Sequence, residues 1–178
     1  MMHTRTHWQA GVTLMELLIT LGIVSLLVAI AVPGFGAMLD RLRVTTAAAQ
    51  FQEAISLARA EALRRHTRVD LIPLRDASWA SGWQVLIDAD NDHQADAAEI
   101  VLHRGPTLPP GLRIEARLRD PKAYLAFDVS GRPRSAGSSA VPQIGSVVFV
   151  AGNEQRKIII SFLGRVRSCD PVRDKTAC

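Results

Sequence analysis

The chain has 178 residues, 48% of them apolar, and a formal net charge of +4. That length suits one globular domain with an appendage and is short for two full domains. The charge is unevenly laid: residues 12–99 carry 7 Lys/Arg against 11 Asp/Glu, while residues 100–178 carry 13 against 6. A basic C-terminal half predicts either a polyanionic partner or an anionic surface there, and charge alone does not choose between them.

The first element is apolar. From Leu17 to Met38 there are 22 residues without a charge, which as a helix cover roughly 33 Å, enough for a hydrocarbon core of about 30 Å. A secretory signal would place a small-residue cut site behind a shorter apolar stretch. Here the polar, basic segment Met1–Gly11 precedes the run, which ends in Val32-Pro33-Gly34. Glu16 needs a reason, because a carboxylate within a membrane helix costs something like 2.5–3.5 kcal/mol. Read by itself, it is a helix-start acid favoured by the helix dipole.

Beyond the apolar run, Val44, Ala47, Ala48, Phe51, Ile55, Ala58 and Ala62 recur at spacings of three and four, with Arg41, Gln52, Arg59 and Glu61 on other faces. This predicts an amphipathic continuation of the same helix to about Arg65, with Glu61 and Arg65 as an i,i+4 pair. Short β-branched or alternating runs then predict strands at Arg68–Leu74, Trp83–Asp88, Ile100–His103, Leu112–Leu118, Tyr124–Asp128, Val147–Val150 and Lys157–Phe162. Pro109-Pro110-Gly111 and Gly131-Arg132-Pro133 read as turns, and Gly137-Ser138-Ser139 as a mobile loop.

Three segments carry candidate sites. Asp88, Asp90, Asp92, Asp96 and Glu99 stand at positions one, three, five, nine and twelve of a twelve-residue loop, the spacing of an EF-hand calcium loop, which helices normally flank. His93 replaces the glycine that the sharp turn of such a loop requires, and the flanks are strands, so an Asp-rich turn satisfying its own backbone is the competing reading. In Leu112–Arg119, alternation directs Arg117 and Arg119 away from the apolar face, as a half-exposed strand with auxiliary phosphate contacts. In Gly164-Arg165-Val166-Arg167-Ser168-Cys169, read as a continuation of the last strand, alternation puts Arg165 and Arg167 on one face about 6.6 Å apart. Cys169 and Cys178 form no CxxC and have no nearby histidine, so the simplest reading is a disulfide closing the tail in an oxidising compartment. Arg173 and Lys175 fall inside that loop. Such a basic loop suits the phosphates of double-stranded DNA, and with no aromatic residue interleaved it does not suit base stacking on single strands. The bland alternative is a set of arginines that solvates a sheet edge. No phosphate loop, HExxH or GxSxG occurs, so neither a cofactor nor a catalytic role is expected.

The segment Gly11-Val12-Thr13-Leu14-Met15-Glu16-Leu17-Leu18 resembles the processing site of type IV prepilins and type II secretion pseudopilins. The resemblance implies cleavage by a prepilin peptidase between Gly11 and Val12, N-methylation of Val12, and pairing of Glu16 with a neighbouring subunit's N-terminus during assembly. Valine stands where the family more often has phenylalanine. "SLARAEALRR", "GWQVLIDADND" and "FLGRVRSC" narrow the resemblance to the GspH/FimT minor pilins. The implied fold is α+β, type IV pilin-like: a long N-terminal helix packed on an antiparallel β-sheet head. The implied organisation is a leader at 1–11, a transmembrane and polymerising half-helix at 12–39, and a soluble head at 40–178. Within the head come the helix's second half at 40–66, a β-rich part at 67–164 and a basic tail at 164–178. Implied partners are other pilins, the peptidase and inner-membrane lipid, with the head in the periplasm and then in an extracellular filament. In FimT-like members a Gly-Arg-x-Arg tail is associated with DNA capture in natural transformation. A GspH-like pseudopilin would have a structural, priming role and no DNA partner.

Overall fold

The computed structural model describes residues 12–75, 78–88, 99–120, 124–135, 138–176 and 178. The leader through Gly11, the loop residues Asp90, Asp92 and Asp96, and Gly137 lie outside the described residues. Among the described residues one helix, α1 (Leu14–Arg65), is followed by ten strands. They are β1 (Val69–Arg75), β2 (Ser78–Ile87), β3 (Ile100–Arg104), β4 (Arg113–Leu118), β5 (Leu125–Phe127), β6 (Pro133–Ser135), β7 (Ser138–Pro142), β8 (Gly145–Ala151), β9 (Glu154–Ile160) and β10 (Val166–Cys169). The chain divides into two compact units, one ending at Met38 and the other running from Leu39 to Cys178.

In the first unit, Thr13 caps the helix: its Oγ1 accepts the Glu16 N–H at 3.2 Å. Thr-x-x-Glu is the capping-box spacing, so Glu16 also occupies the third helical position, where the helix dipole favours a negative charge. Residues 12–30 are exposed, and the segment is long and apolar enough to cross a membrane. Beyond Glu16 the helix carries no charge up to Met38, and so apolar an exposed surface calls for lipid or neighbouring helices around it.

In the second unit, the predicted stripe of α1 is the spine of the core. Val44, Ala47, Ala48, Phe51, Ile55, Ala58 and Ala62 are all buried, joined by Ala54. Five of these eight are alanines, which let the sheets approach the helix backbone closely. The gap is filled by Phe51, whose ring meets Trp79 at 5.2 Å and Trp83 at 5.1 Å edge-on, and Phe149 at 5.7 Å. Trp79 and Trp83 belong to one sheet and Phe149 to the other. Gly105 lies against the Trp83 ring so tightly that a Cβ there would stand 2.2 Å from the indole nitrogen. The helix ends with His66 in the left-handed conformation, φ 52°, the backbone state that terminates helices.

The first sheet has six strands in the order β3-β2-β1-β5-β6-β7, and the second four in the order β10-β9-β8-β4. Every recorded strand pairing is antiparallel. Two sequence expectations need correction. Ser138 and Ser139, expected in a mobile loop, open β7, which pairs with β6 through Arg134↔Pro142. The tail does not continue the strand before it. Gly164, at φ +75°, closes a turn with its N–H donating to the Ser161 carbonyl at 2.9 Å, and β10 runs back antiparallel to β9. Glycine takes that φ without the steric cost other residues carry.

The face of the six-stranded sheet away from the main core holds a smaller cluster of Ile72, Leu86, Tyr124 and Ala126. Asp70, fully buried beside it, accepts a hydrogen bond from the Tyr124 hydroxyl at 2.8 Å and one from Arg68 Nε at 3.2 Å. The Arg68 guanidinium also donates to the Tyr124 hydroxyl and lies over the ring, 5.4 Å from its centroid. Burial raises the Asp70 carboxyl to about 7; the Arg68 charge opposes that shift and the neighbouring Asp88 carboxyl adds to it. The folded state therefore keeps a proton that the unfolded chain releases near its ordinary carboxylate pKa. The associated stability is full below about pH 4 and is lost as pH rises towards 7. Its ceiling is about 4 kcal/mol, at about 1.36 kcal/mol per pKa unit. Asp70→Asn is predicted to flatten this dependence: urea denaturation at pH 5 and pH 8 should show the variant gaining stability relative to the native chain at the higher pH. An unchanged difference between the two pH values would contradict this assignment.

Candidate functional site

The C-terminal tail is built on the four-stranded sheet. Val166 packs into the main core and sets the alternation of β10: Arg167 and Cys169 point to the outer face. Arg167 pairs across with Ile159 and Cys169 with Lys157. Arg165 stands one residue before β10, opposite Ser161. Its carbonyl accepts the Ser161 N–H at 3.0 Å, and its own N–H donates to Ser161 Oγ at 3.1 Å. Both arginine side chains are exposed. Arg165 also lines a groove of about 390 Å³ between α1 and β10, with Gln52, Ser56, Arg59 and Leu63. Arg59, off the apolar stripe of α1, is half-buried and donates to the Gly164 carbonyl at 3.0 Å, tying the turn before Arg165 to the helix.

Beyond β10 the chain is closed covalently by the Cys169–Cys178 disulfide, with Cα atoms 5.8 Å apart. Inside the loop, Asp170 acts as a cap: its Oδ1 accepts the N–H groups of Val172 and Arg173 at 3.0 and 3.1 Å. Partial desolvation works against the carboxylate, but those two N–H groups and the charges of Arg156 and Arg173 hold it below the usual range. The loop is pinned to β9 at two points. Arg173 Nη2 bonds Glu154 Oε1 at 2.9 Å, and Lys157 Nζ reaches the Cys178 carbonyl at 3.5 Å. Arg173 also lies 3.6 Å from Asp170. Two carboxylates thus partly neutralise its charge, whereas Lys175 is exposed.

The second basic segment lies at the opposite edge of the same sheet. On β4, Ile114 and Leu118 pack into the core, so Arg113, Glu115 and Arg117 face outward. Arg117 is 79% exposed and its guanidinium is 3.8 Å from Glu115. Arg119 is exposed, and its N–H donates to the Ile144 carbonyl at 2.8 Å, carrying the β4–β8 ladder one step further. The registers align the outer face in rows: Arg167, Ile159, Ser146 and Arg117 form one, and Cys169, Lys157, Val148 and Glu115 the next. Arg113 was absent from the expected set, although the alternation that picked out Arg117 marks it as outward; Lys157, also absent, opens the run Lys-Ile-Ile-Ile, in which no alternation marks a face.

Of the acidic loop, Asp88 and Glu99 are among the described residues. Asp88 is buried and hydrogen-bonded to Asp70, and Glu99 is half-buried. Asp90, Asp92 and Asp96 are outside the described residues. Among the described residues no group of three or more His, Cys, Asp or Glu is arranged to hold a metal ion.

Residues 47–164 match the family described as Type II transport protein GspH. The chain is 31% identical over 163 residues to the Pilin-like protein PilA1 of Thermus thermophilus, covering 88% of this chain and 96% of that protein. Its fold is similar to that of the type IV minor pilin FimU of Pseudomonas aeruginosa, with a TM-score of 0.54 at 18% identity over 70% of this chain and 91% of that one. It is also similar to the minor pseudopilin EpsH of the Vibrio cholerae Type 2 Secretion System, with a TM-score of 0.51 at 18% identity over 72% of this chain and 98% of that one. At those identities the two structures speak for the fold alone. With the long apolar-then-amphipathic helix and the antiparallel sheets it carries, the chain belongs to the GspH/FimT family of type IV pilin-like proteins.

Proposed function

We propose that this chain is a minor type IV pilin whose head binds the backbone of double-stranded DNA, without sequence preference, in DNA uptake. The observation that carries the reading is the pair Arg165 and Arg167: both are exposed, on backbone fixed by a glycine turn, a β ladder and the disulfide loop beyond. A guanidinium on ordered backbone meets a phosphate bidentately with less ordering entropy to lose than one on a free tail. The net charge of +7 over residues 100–178 adds long-range attraction. Arg173 contributes less than Lys175, because Glu154 and Asp170 already hold it.

At the other end, the Gly11–Val12 bond is the proposed peptidase cut and Val12 the methylated N-terminus. Glu16 is the proposed assembly contact with a neighbouring pilin. The apolar first part of α1 is the single inner-membrane span, with the head periplasmic until it enters the filament. The match to the Type II transport family favours a second reading, a priming pseudopilin without a DNA partner.

The two readings separate by titration. Binding of the head to duplex DNA is expected to weaken steeply with salt. Changing Arg165 and Arg167 together to Gln is predicted to lower the slope of log affinity on log salt by about 1.8, or about 0.9 per lost phosphate contact. Absence of binding at low salt, or a slope indifferent to the two changes, favours the pseudopilin. Replacing Cys169 and Cys178 by Ser is expected to weaken binding at equal charge, through the entropy of re-ordering the tail. An unchanged affinity on this change would remove the disulfide from the account of binding.

A further inference from the structure

Strands β10 and β4 are the two edges of the four-stranded sheet, and each ends a transverse row of its outer face with an arginine. Arg167 and Arg117 close one row, with Ile159 and Ser146 between them. One step along, the hydrogen bonds of Arg165 with Ser161 and of Arg119 with Ile144 place a second arginine at each edge. Three inter-strand steps separate the edges, about 14 Å at about 4.8 Å each. The strip between the arginines in the Arg167–Arg117 row is uncharged.

We infer that the outer face of this sheet seats across one groove of a nucleic-acid duplex, with Arg165 and Arg167 on one phosphate backbone and Arg117 and Arg119 on the other. The inference rests on the DNA-binding reading above and adds that both edges are needed. The edge separation is close to the major-groove width of about 12 Å, and long guanidinium arms cover the difference. A single strand offers one backbone and engages one edge only. An anionic membrane, which has no paired backbones, attracts basic charge without requiring two lines of it. Glu115, exposed on β4 and 3.8 Å from Arg117, opposes the phosphate contact. Its removal should therefore tighten binding.

The test uses the full chain in a zwitterionic detergent, with a short labelled duplex and a single strand of the same length. Arg117→Gln with Arg119→Gln is expected to weaken duplex binding on the order of tenfold at low salt and to lower the salt slope by about 1.8. Single-strand binding should stay unchanged. Glu115→Gln removes an exposed carboxylate without touching the core, and is expected to tighten duplex binding and leave single-strand binding alone. The inference is overturned if the β4 pair leaves the duplex slope unchanged while Arg165→Gln with Arg167→Gln lowers it. Equal losses on duplex and single strand also overturn it. If the unaltered chain binds vesicles containing anionic phospholipid but no duplex at all, the DNA reading itself has failed, a result distinct from the other two.

Discussion

The head depends on one aromatic side chain. Phe51 projects from a helix face made otherwise largely of alanine, and its ring touches Trp79 and Trp83 of one sheet and Phe149 of the other. Alanine brings the sheets close but leaves little side-chain volume to hold them in place. A single large ring at the junction fixes the position of both sheets on the helix, and interiors packed to crystal-like density transmit such a constraint. From Phe149 it passes along β8 to β4 on one side and β9 on the other, and from β9 to β10. The exposed arginines at the two edges of this sheet owe their spacing to a contact on its opposite face.

The tail shows how a short segment without a core of its own becomes ordered. Gly164 reverses the chain, Arg59 ties the turn to the helix, and Val166 anchors β10 in the core. Beyond Cys169, the disulfide, the Asp170 cap and the Arg173–Glu154 pair hold the remaining residues against β9. The cations here divide by role. Arg59 and Arg173 spend their charge on the fold, whereas Arg165, Arg167 and Lys175 leave theirs at the surface.

Much of this was legible in the sequence, for identifiable reasons. The buried stripe of α1 follows from a period of three to four residues, which is local and strong. Seven strands appeared near their expected positions because each is a short β-branched or alternating run. The strands that were not expected are those whose signals are weakest: β6 has three residues and begins at Pro133, and β7 begins in a Ser-rich run. β10 was read as part of the strand before it, because the turn at Gly164 interrupts a pattern that is otherwise continuous. Asp70 was invisible, since a polar residue at an alternate strand position normally faces water, and only the fold covers it with Tyr124. Arg165 and Arg167 were found by local pattern. Their alignment with Arg119 and Arg117 was not, because β4 and β10 lie some fifty residues apart in sequence and meet only through the order of the strands between them.

The central claim is that this outer face, and not another basic region, meets nucleic acid. Chemical modification of arginines by phenylglyoxal, mapped by mass spectrometry on the full chain with and without duplex DNA, tests it most directly. The account predicts that duplex protects Arg117, Arg119, Arg165 and Arg167 and leaves Arg64 and Arg65, at the end of α1, as reactive as before. Protection centred on Arg64 and Arg65, or no protection at either sheet edge under conditions where the duplex is bound, would contradict it.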